Sequence, residues 1–137
     1  MSNSFVIFGD EVGLEILRIT SSSKITNVKA IVISKGREAA KDIARRWGCK
    51  ILIQPSYLDI MEYKTFIKEI KELKPDFGFC FSYDRILKAD LLSIFPKGVY
   101  NVHGGLLPQL RGANILNWVL VNGEEHTGIT IHKMVDR

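Results

Sequence analysis

A chain of 137 residues in which 46% are apolar is long enough to form one domain with a core of its own. Its formal net charge of +4 is reached without a run of Lys and Arg typical of nucleic-acid-binding segments, and no apolar run reaches the roughly 18 residues that cross a membrane. The chain is therefore predicted to be cytoplasmic and to bind small molecules, and neither a nucleic-acid partner nor a membrane is expected.

Short apolar runs rich in β-branched and aromatic residues alternate with helix-like segments along the chain. Strands are predicted at residues 5–8, 28–33, 51–53, 77–81, 99–102 and 127–132. Helices are predicted at residues 12–19, 37–47, 63–73 and 113–121, with a turn or loop at 21–23. This alternation predicts one α/β domain over residues 1–137, with a Rossmann-like, doubly wound, mostly parallel sheet and helices on both faces. In the last helix, Asn117 and Trp118 are expected on the inner face.

The two cysteines, Cys49 and Cys80, lie far apart and have no partner at metal-ligand spacing. They are predicted to be reduced, structural thiols. No metal site is expected in this chain.

The stretch NVHGG follows the predicted strand at 99–102. Ligands of doubly wound sheets bind outside the carboxyl ends of the strands, so a site is expected here. Strand alternation places Asn101 and His103 on the same side. An amide can stabilise a developing oxyanion, and an imidazole can move a proton, which together suit acyl transfer. Taken alone, such a triplet is more often a turn cap beside a half-buried ring, so the longer context decides.

That longer context contains Asn-x-His-Gly-x-Leu-Leu-Pro, Arg-Gly, NWVLVNGE and Thr-Gly-Ile-Thr in order, with FSYDRIL upstream. It resembles the N-terminal catalytic domain of the formyltransferases that use 10-formyltetrahydrofolate. The resemblance implies that Asn101 stabilises the oxyanion on the formyl group while His103 handles the proton of the attacking amine. It also implies that the backbone of Arg85, Ile86 and Leu87 contacts the pterin of the folate.

The same resemblance implies that Val135, Asp136 and Arg137 begin a loop lining the folate site. Members of the family also need an aspartate beside the histidine, a few residues past HKMVDR, which falls beyond Arg137. Asp136 is about three residues out of register and is expected to be solvated. The chain is therefore interpreted as a truncated catalytic domain with weak or no turnover, and a noncatalytic folate- or nucleotide-binding remnant is the alternative.

Three classes of formyl acceptor occur in this family. Asp10 and Glu11 occupy the first turn, where glycinamide ribonucleotide formyltransferases bind a phosphate, and the basic insertion of methionyl-tRNA formyltransferases is missing. The main prediction is therefore an amine of a nucleotide-linked amino sugar, such as a UDP- or dTDP-sugar, with the other two acceptors as alternatives. Arg111 is predicted to contact a substrate phosphate or to structure its loop. An uncovered apolar edge or face of the sheet is also expected to favour a homo-oligomer.

Overall fold

The computed structural model describes residues 3–21 and 27–136. They form a six-stranded sheet with five helices. The strands are β1 (Phe5–Gly9), β2 (Val28–Ser34), β3 (Lys50–Gln54), β4 (Phe77–Phe81), β5 (Val99–His103) and β6 (Thr130–Lys133). The helices are α1 (Glu11–Ser21), α2 (Glu38–Arg45), α3 (Ile60–Glu72), α4 (Ala89–Leu92) and α5 (Ile115–Val121).

The strand order is β3-β2-β1-β4-β5-β6, in which β1 to β5 run parallel and β6 is antiparallel to β5. The chain thus extends from β1 first to one side and then to the other, so the predicted doubly wound α/β fold is confirmed. The switch of direction lies between β1 and β4, and ligands of such sheets bind at the carboxyl ends of the strands near this point.

Two apolar clusters cover the faces of the central strands. Val6 and Phe8 of β1 belong to a cluster with buried residues of α3 and α4, whereas Ile7 between them packs with Leu14 of α1 and Ala40 of α2. Successive side chains of β1 are therefore buried on opposite faces. This two-sided burial explains why the strand is an unbroken apolar run in the sequence.

Several helices and strands begin or end at residues other than those predicted from the sequence. Helix α3 begins at Ile60 and not at residue 63, because Asp59 caps it by accepting a hydrogen bond from the Glu62 amide at 3.4 Å. Helix α4 was not predicted because one turn is too short to show a helical period. Strand β6 begins at Thr130, three residues after the predicted start at residue 127. Of the serines predicted to form a turn, Ser21 ends α1, and residues 22 and 23 lie outside the described residues.

Helix α5 packs on the loop before it rather than on the two sheet clusters. Its inner residues, Ile115 and Val119, form a separate small cluster with Leu110. Asn117 and Trp118, which were expected to face inwards, are exposed. The reason is the register, since Ile115 and Val119 are four residues apart and share one face of the helix.

One half of the sheet carries a partly exposed row of aromatic rings. Phe5, Phe77, Phe79 and Tyr100 lie on one face and contact one another with ring centroids 5.7 to 6.4 Å apart. On the same face, Ile131 of β6 is 64% exposed. This apolar surface is compatible with the expected homo-oligomer, which stays a prediction.

Among the described residues, no helix is both long enough and apolar enough to cross a bilayer.

The buried thiol of Cys80 gives a direct test of the sheet core. Burial raises the pKa of Cys80 to about 12, so only about 10⁻⁴ of the thiol is ionised at pH 8. Iodoacetamide is expected to modify Cys80 only after denaturation, as followed by mass spectrometry of peptides. Cys49 is half-buried and serves as the internal comparison. Equal labelling of Cys80 in native and urea-unfolded protein would contradict this packing.

Candidate active site

Strand β5 carries the amide and the imidazole towards its carboxyl end. Asn101 and His103 are two residues apart within β5, so their side chains point to the same face. Both are partly buried, and His103 is the last residue of the strand. The structure therefore brings these two candidate residues together at the carboxyl end of a strand that neighbours β4.

The ring of His103 is held by the loop that follows it. Nε2 lies 2.6 Å from the backbone oxygen of Leu110. A carbonyl oxygen can only accept, so Nε2 carries the hydrogen and donates it, which leaves Nδ1 of the neutral ring with the lone pair. The nitrogen available to take a proton is therefore Nδ1.

The amide of Asn101 has a partner on the neighbouring strand. Its Nδ2 lies 3.3 Å from Nε2 of His132, the residue directly opposite on β6. Since Nδ2 is a donor, His132 accepts through Nε2 and carries its hydrogen on Nδ1, which lies 3.4 Å from the Lys133 oxygen. One of the two Nδ2 hydrogens of Asn101 is thus used, and the other has no hydrogen-bond partner among the described residues.

The loop that follows His103 is held by hydrogen bonds to Thr130 of β6. Thr130 is opposite His103, and its hydroxyl donates to the Gly105 oxygen at 2.7 Å while accepting from the Leu107 amide at 3.1 Å. At Gly105 an added Cβ would lie 2.6 Å from Cγ2 of Ile115. A residue with a side chain would therefore force the loop away from α5.

The segment after β4 shares a buried apolar cluster with the strands of this site. Leu87 is 4% exposed and belongs to the same cluster as Cys80 and Val99. Cys80 pairs with Asn101 across β4 and β5. Ile86 is 72% exposed, and Arg85 is exposed as well. Asp84, Arg85 and Ile86 line a cavity of about 170 Å³. The structure thus leaves two of the three candidate folate residues accessible and anchors the third.

The remaining candidate residues lie in the loop after His103 and beyond the end of β6. Arg111 is exposed in the loop before α5. Because β6 runs antiparallel to β5 and the Met134 amide donates to the Val99 oxygen at 2.8 Å, Val135 and Asp136 lie beyond the amino end of β5. Both are exposed. Arg137 is outside the described residues.

The turn after β1 has its own carboxylate at the helix N-terminus. Oδ1 of Asp10 accepts from the Gly13 amide at 2.8 Å, and Oδ2 accepts from the Ser82 hydroxyl at 2.8 Å. Glu11 beside it accepts from Nη1 of Arg37 at 3.1 Å. A helix N-terminus ordinarily attracts anions, but here a side-chain carboxylate of the chain already occupies that position.

A short ion-pair network lies beside this turn. Asp84 accepts from the hydroxyl of Ser34 and, at 2.8 Å, from Nη2 of Arg37. Burial opposes the ionisation of Asp84, but the hydrogen bonds from Ser34 and Arg37 outweigh it, and the pKa of this carboxyl is lowered. In residues 3–21 and 27–136, no group of three or more His, Cys, Asp and Glu side chains could hold a metal ion.

Comparisons with known proteins show the family and the fold of this chain. A family model described as "Formyl transferase" matches residues 7–137. The glycinamide ribonucleotide transformylase 1 of Geobacillus kaustophilus is similar in structure, with a TM-score of 0.82 and 19% identity over 100% of this chain and 76% of that chain. The phosphoribosylglycinamide formyltransferase of Bacillus halodurans has a TM-score of 0.78 and 21% identity, over 98% of this chain and 73% of that chain.

A formyltetrahydrofolate deformylase of Pseudomonas syringae pv. tomato is also similar. Its TM-score is 0.76 at 15% identity, over 100% of this chain and 47% of that chain. At these identities the solved structures show a shared fold.

Proposed function

The chain belongs to the formyl transferase family, and we propose on that premise that it forms the active site for transfer of a formyl group from 10-formyltetrahydrofolate to an amine. The observation that carries the proposal is the pair Asn101 and His103 on one face at the end of β5. The exposure of Arg85 and Ile86 and the cavity beside them support folate binding at Arg85, Ile86 and Leu87.

In the proposed reaction, the acceptor nitrogen forms a bond to the formyl carbon, and the electron pair of the formyl C=O moves to its oxygen. The free Nδ2 hydrogen of Asn101 stabilises that oxyanion. His103 accepts through Nδ1 the proton that the attacking nitrogen loses. When the oxyanion collapses, the bond from the formyl carbon to N10 breaks, and N10 receives a proton as tetrahydrofolate leaves.

For the acceptor, we propose the amine of a nucleotide-linked amino sugar. The supporting observation is the turn after β1, where Asp10 already caps the α1 N-terminus and leaves no free site there for a phosphate. Glycinamide ribonucleotide is the rival acceptor, and the names of the similar solved structures favour it. Methionyl-tRNA has no comparable support from the described contacts.

A competition assay separates these acceptors. Incubation with 10-formyltetrahydrofolate is expected to formylate UDP- or dTDP-linked amino sugars and to leave glycinamide ribonucleotide unchanged, because Asp10 and Glu11 repel its phosphate. Tetrahydrofolate release and the product mass are measured. Formylation of glycinamide ribonucleotide alone would contradict the sugar proposal and leave formyl transfer standing.

A further inference from the structure

Residues at the carboxyl ends of β1, β2 and β3 form hydrogen bonds to every second residue of the segment after β4. The Asp10 amide, just after β1, donates to the Ser82 oxygen at 3.0 Å, in addition to the side-chain contact between these residues. The corresponding contacts from the ends of β2 and β3 join Ser34 to Asp84 and Gln54 to Ile86. The segment thus crosses the carboxyl ends of β1, β2 and β3 in that order.

Gln54 makes the contact nearest to the candidate folate residues. Its side chain is 3% exposed, and Nε2 donates to the backbone oxygen of Ile86 at 3.2 Å. At the other end of the amide, Oε1 accepts from the hydroxyl of Tyr83 at 2.9 Å. Tyr83 packs edge-on against Phe8 with ring centroids 5.7 Å apart. Because the carbonyl of Ile86 can only accept, it fixes which end of the Gln54 amide faces it, and Tyr83 satisfies the other end.

From this arrangement we infer that Gln54 is a positioning residue for the formyl donor, an inference that rests on the proposed function. Its amide holds the carbonyl of Ile86 against the sheet. The neighbouring backbone at Arg85 and Leu87 is then fixed before any ligand binds, so little ordering is needed on binding. Leu87 anchors the far end by its burial.

The hydrogen bond from Gln54 involves the backbone oxygen of Ile86 and not its backbone amide. The Ile86 oxygen accepts from Gln54, so the amide hydrogen is the backbone group of Ile86 that we infer is available to a pterin. Asp84 is held at the same time by Ser34 and Arg37, so the segment cannot easily rotate as a unit. Removing the Gln54 donor is expected to free the Ile86 peptide selectively.

The test compares the affinity for 5-formyltetrahydrofolate, measured by calorimetry, in matched variants. Gln54→Leu is expected to raise Kd about 10-fold or more, because it removes the donor that holds the Ile86 carbonyl against the sheet. Tyr83→Phe keeps that donor and is expected to bind within about 3-fold of wild type. Ser4→Ala is the stability control, since Ser4 is also a buried polar residue but lies at the opposite end of β1.

The possible results separate the inference about Gln54 from the proposed function. Wild-type protein that binds no folate contradicts the proposed function and this inference with it. Folate binding that Gln54→Leu leaves unchanged, or that Tyr83→Phe or Ser4→Ala weakens equally, overturns the inference alone. If Gln54→Leu does not fold, Gln54→Glu replaces it, because a carboxylate keeps the acceptor for Tyr83 and lacks the donor for Ile86. The same 10-fold loss is expected.

Discussion

Replacing Asn101 by alanine is expected to lower kcat for the proposed formyl transfer by roughly 10²- to 10³-fold, with a smaller change in the KM values. In the proposed mechanism the Asn101 amide hydrogen that is not used by His132 donates to the developing oxyanion, so this contact strengthens in the transition state. Steady-state kinetics with both substrates varied measures the two effects separately.

The matched control for this variant is Asn117→Ala, which removes an exposed amide on α5. It is expected to leave kcat within about 2-fold, as for surface substitutions away from a site. A variant of Asn101 that changes KM and leaves kcat unaltered would identify Asn101 as a binding residue and contradict the oxyanion role.

The largest expected effect on stability is at Gly13, where α1 crosses the end of β4. A Cβ at this position would lie 2.1 Å from the backbone oxygen of Phe81 and 2.8 Å from its carbonyl carbon. Backbone atoms cannot move aside as a flexible side chain can. Gly13→Ala is therefore expected to lower the free energy of unfolding by about 3 kcal/mol or more, as measured by urea denaturation.

Gly104→Ala is the control for that substitution, because nothing lies within 4 Å of an added Cβ there. It is expected to change the free energy of unfolding by less than about 1 kcal/mol. If Gly13→Ala were as stable as Gly104→Ala, the close approach of α1 to β4 would be wrong.

The strands were predictable because the apolar runs are short and are buried on both faces. The run at 77–81 coincides with Phe77–Phe81, and the predicted start of β2 at Val28 is correct. The predicted start of β6 was too early because residues 127–129 are compatible with a strand. The predicted start of α5 was too early because residues 113–114 are compatible with a helix. Hydrogen bonding to β5 decides where β6 starts, and a sequence window does not contain that partner.

The candidate site was predictable where it depends on one strand and one motif. The shared face of Asn101 and His103 follows from strand alternation alone. The contact from His132 to Asn101 was missed because it requires the antiparallel register of β6 beside β5. Gln54 was missed for a similar reason, since it lies on β3 and acts on a segment more than 30 residues away.

The small cluster under α5 has a dynamic consequence for the imidazole. Three residues, Leu110, Ile115 and Val119, bury little apolar surface, so this part of the chain opens at a lower free energy than the sheet. The backbone oxygen that holds His103 belongs to Leu110. Each local opening of α5 and its loop therefore removes the hydrogen bond that holds His103, the proposed proton acceptor, and allows its ring to reorient.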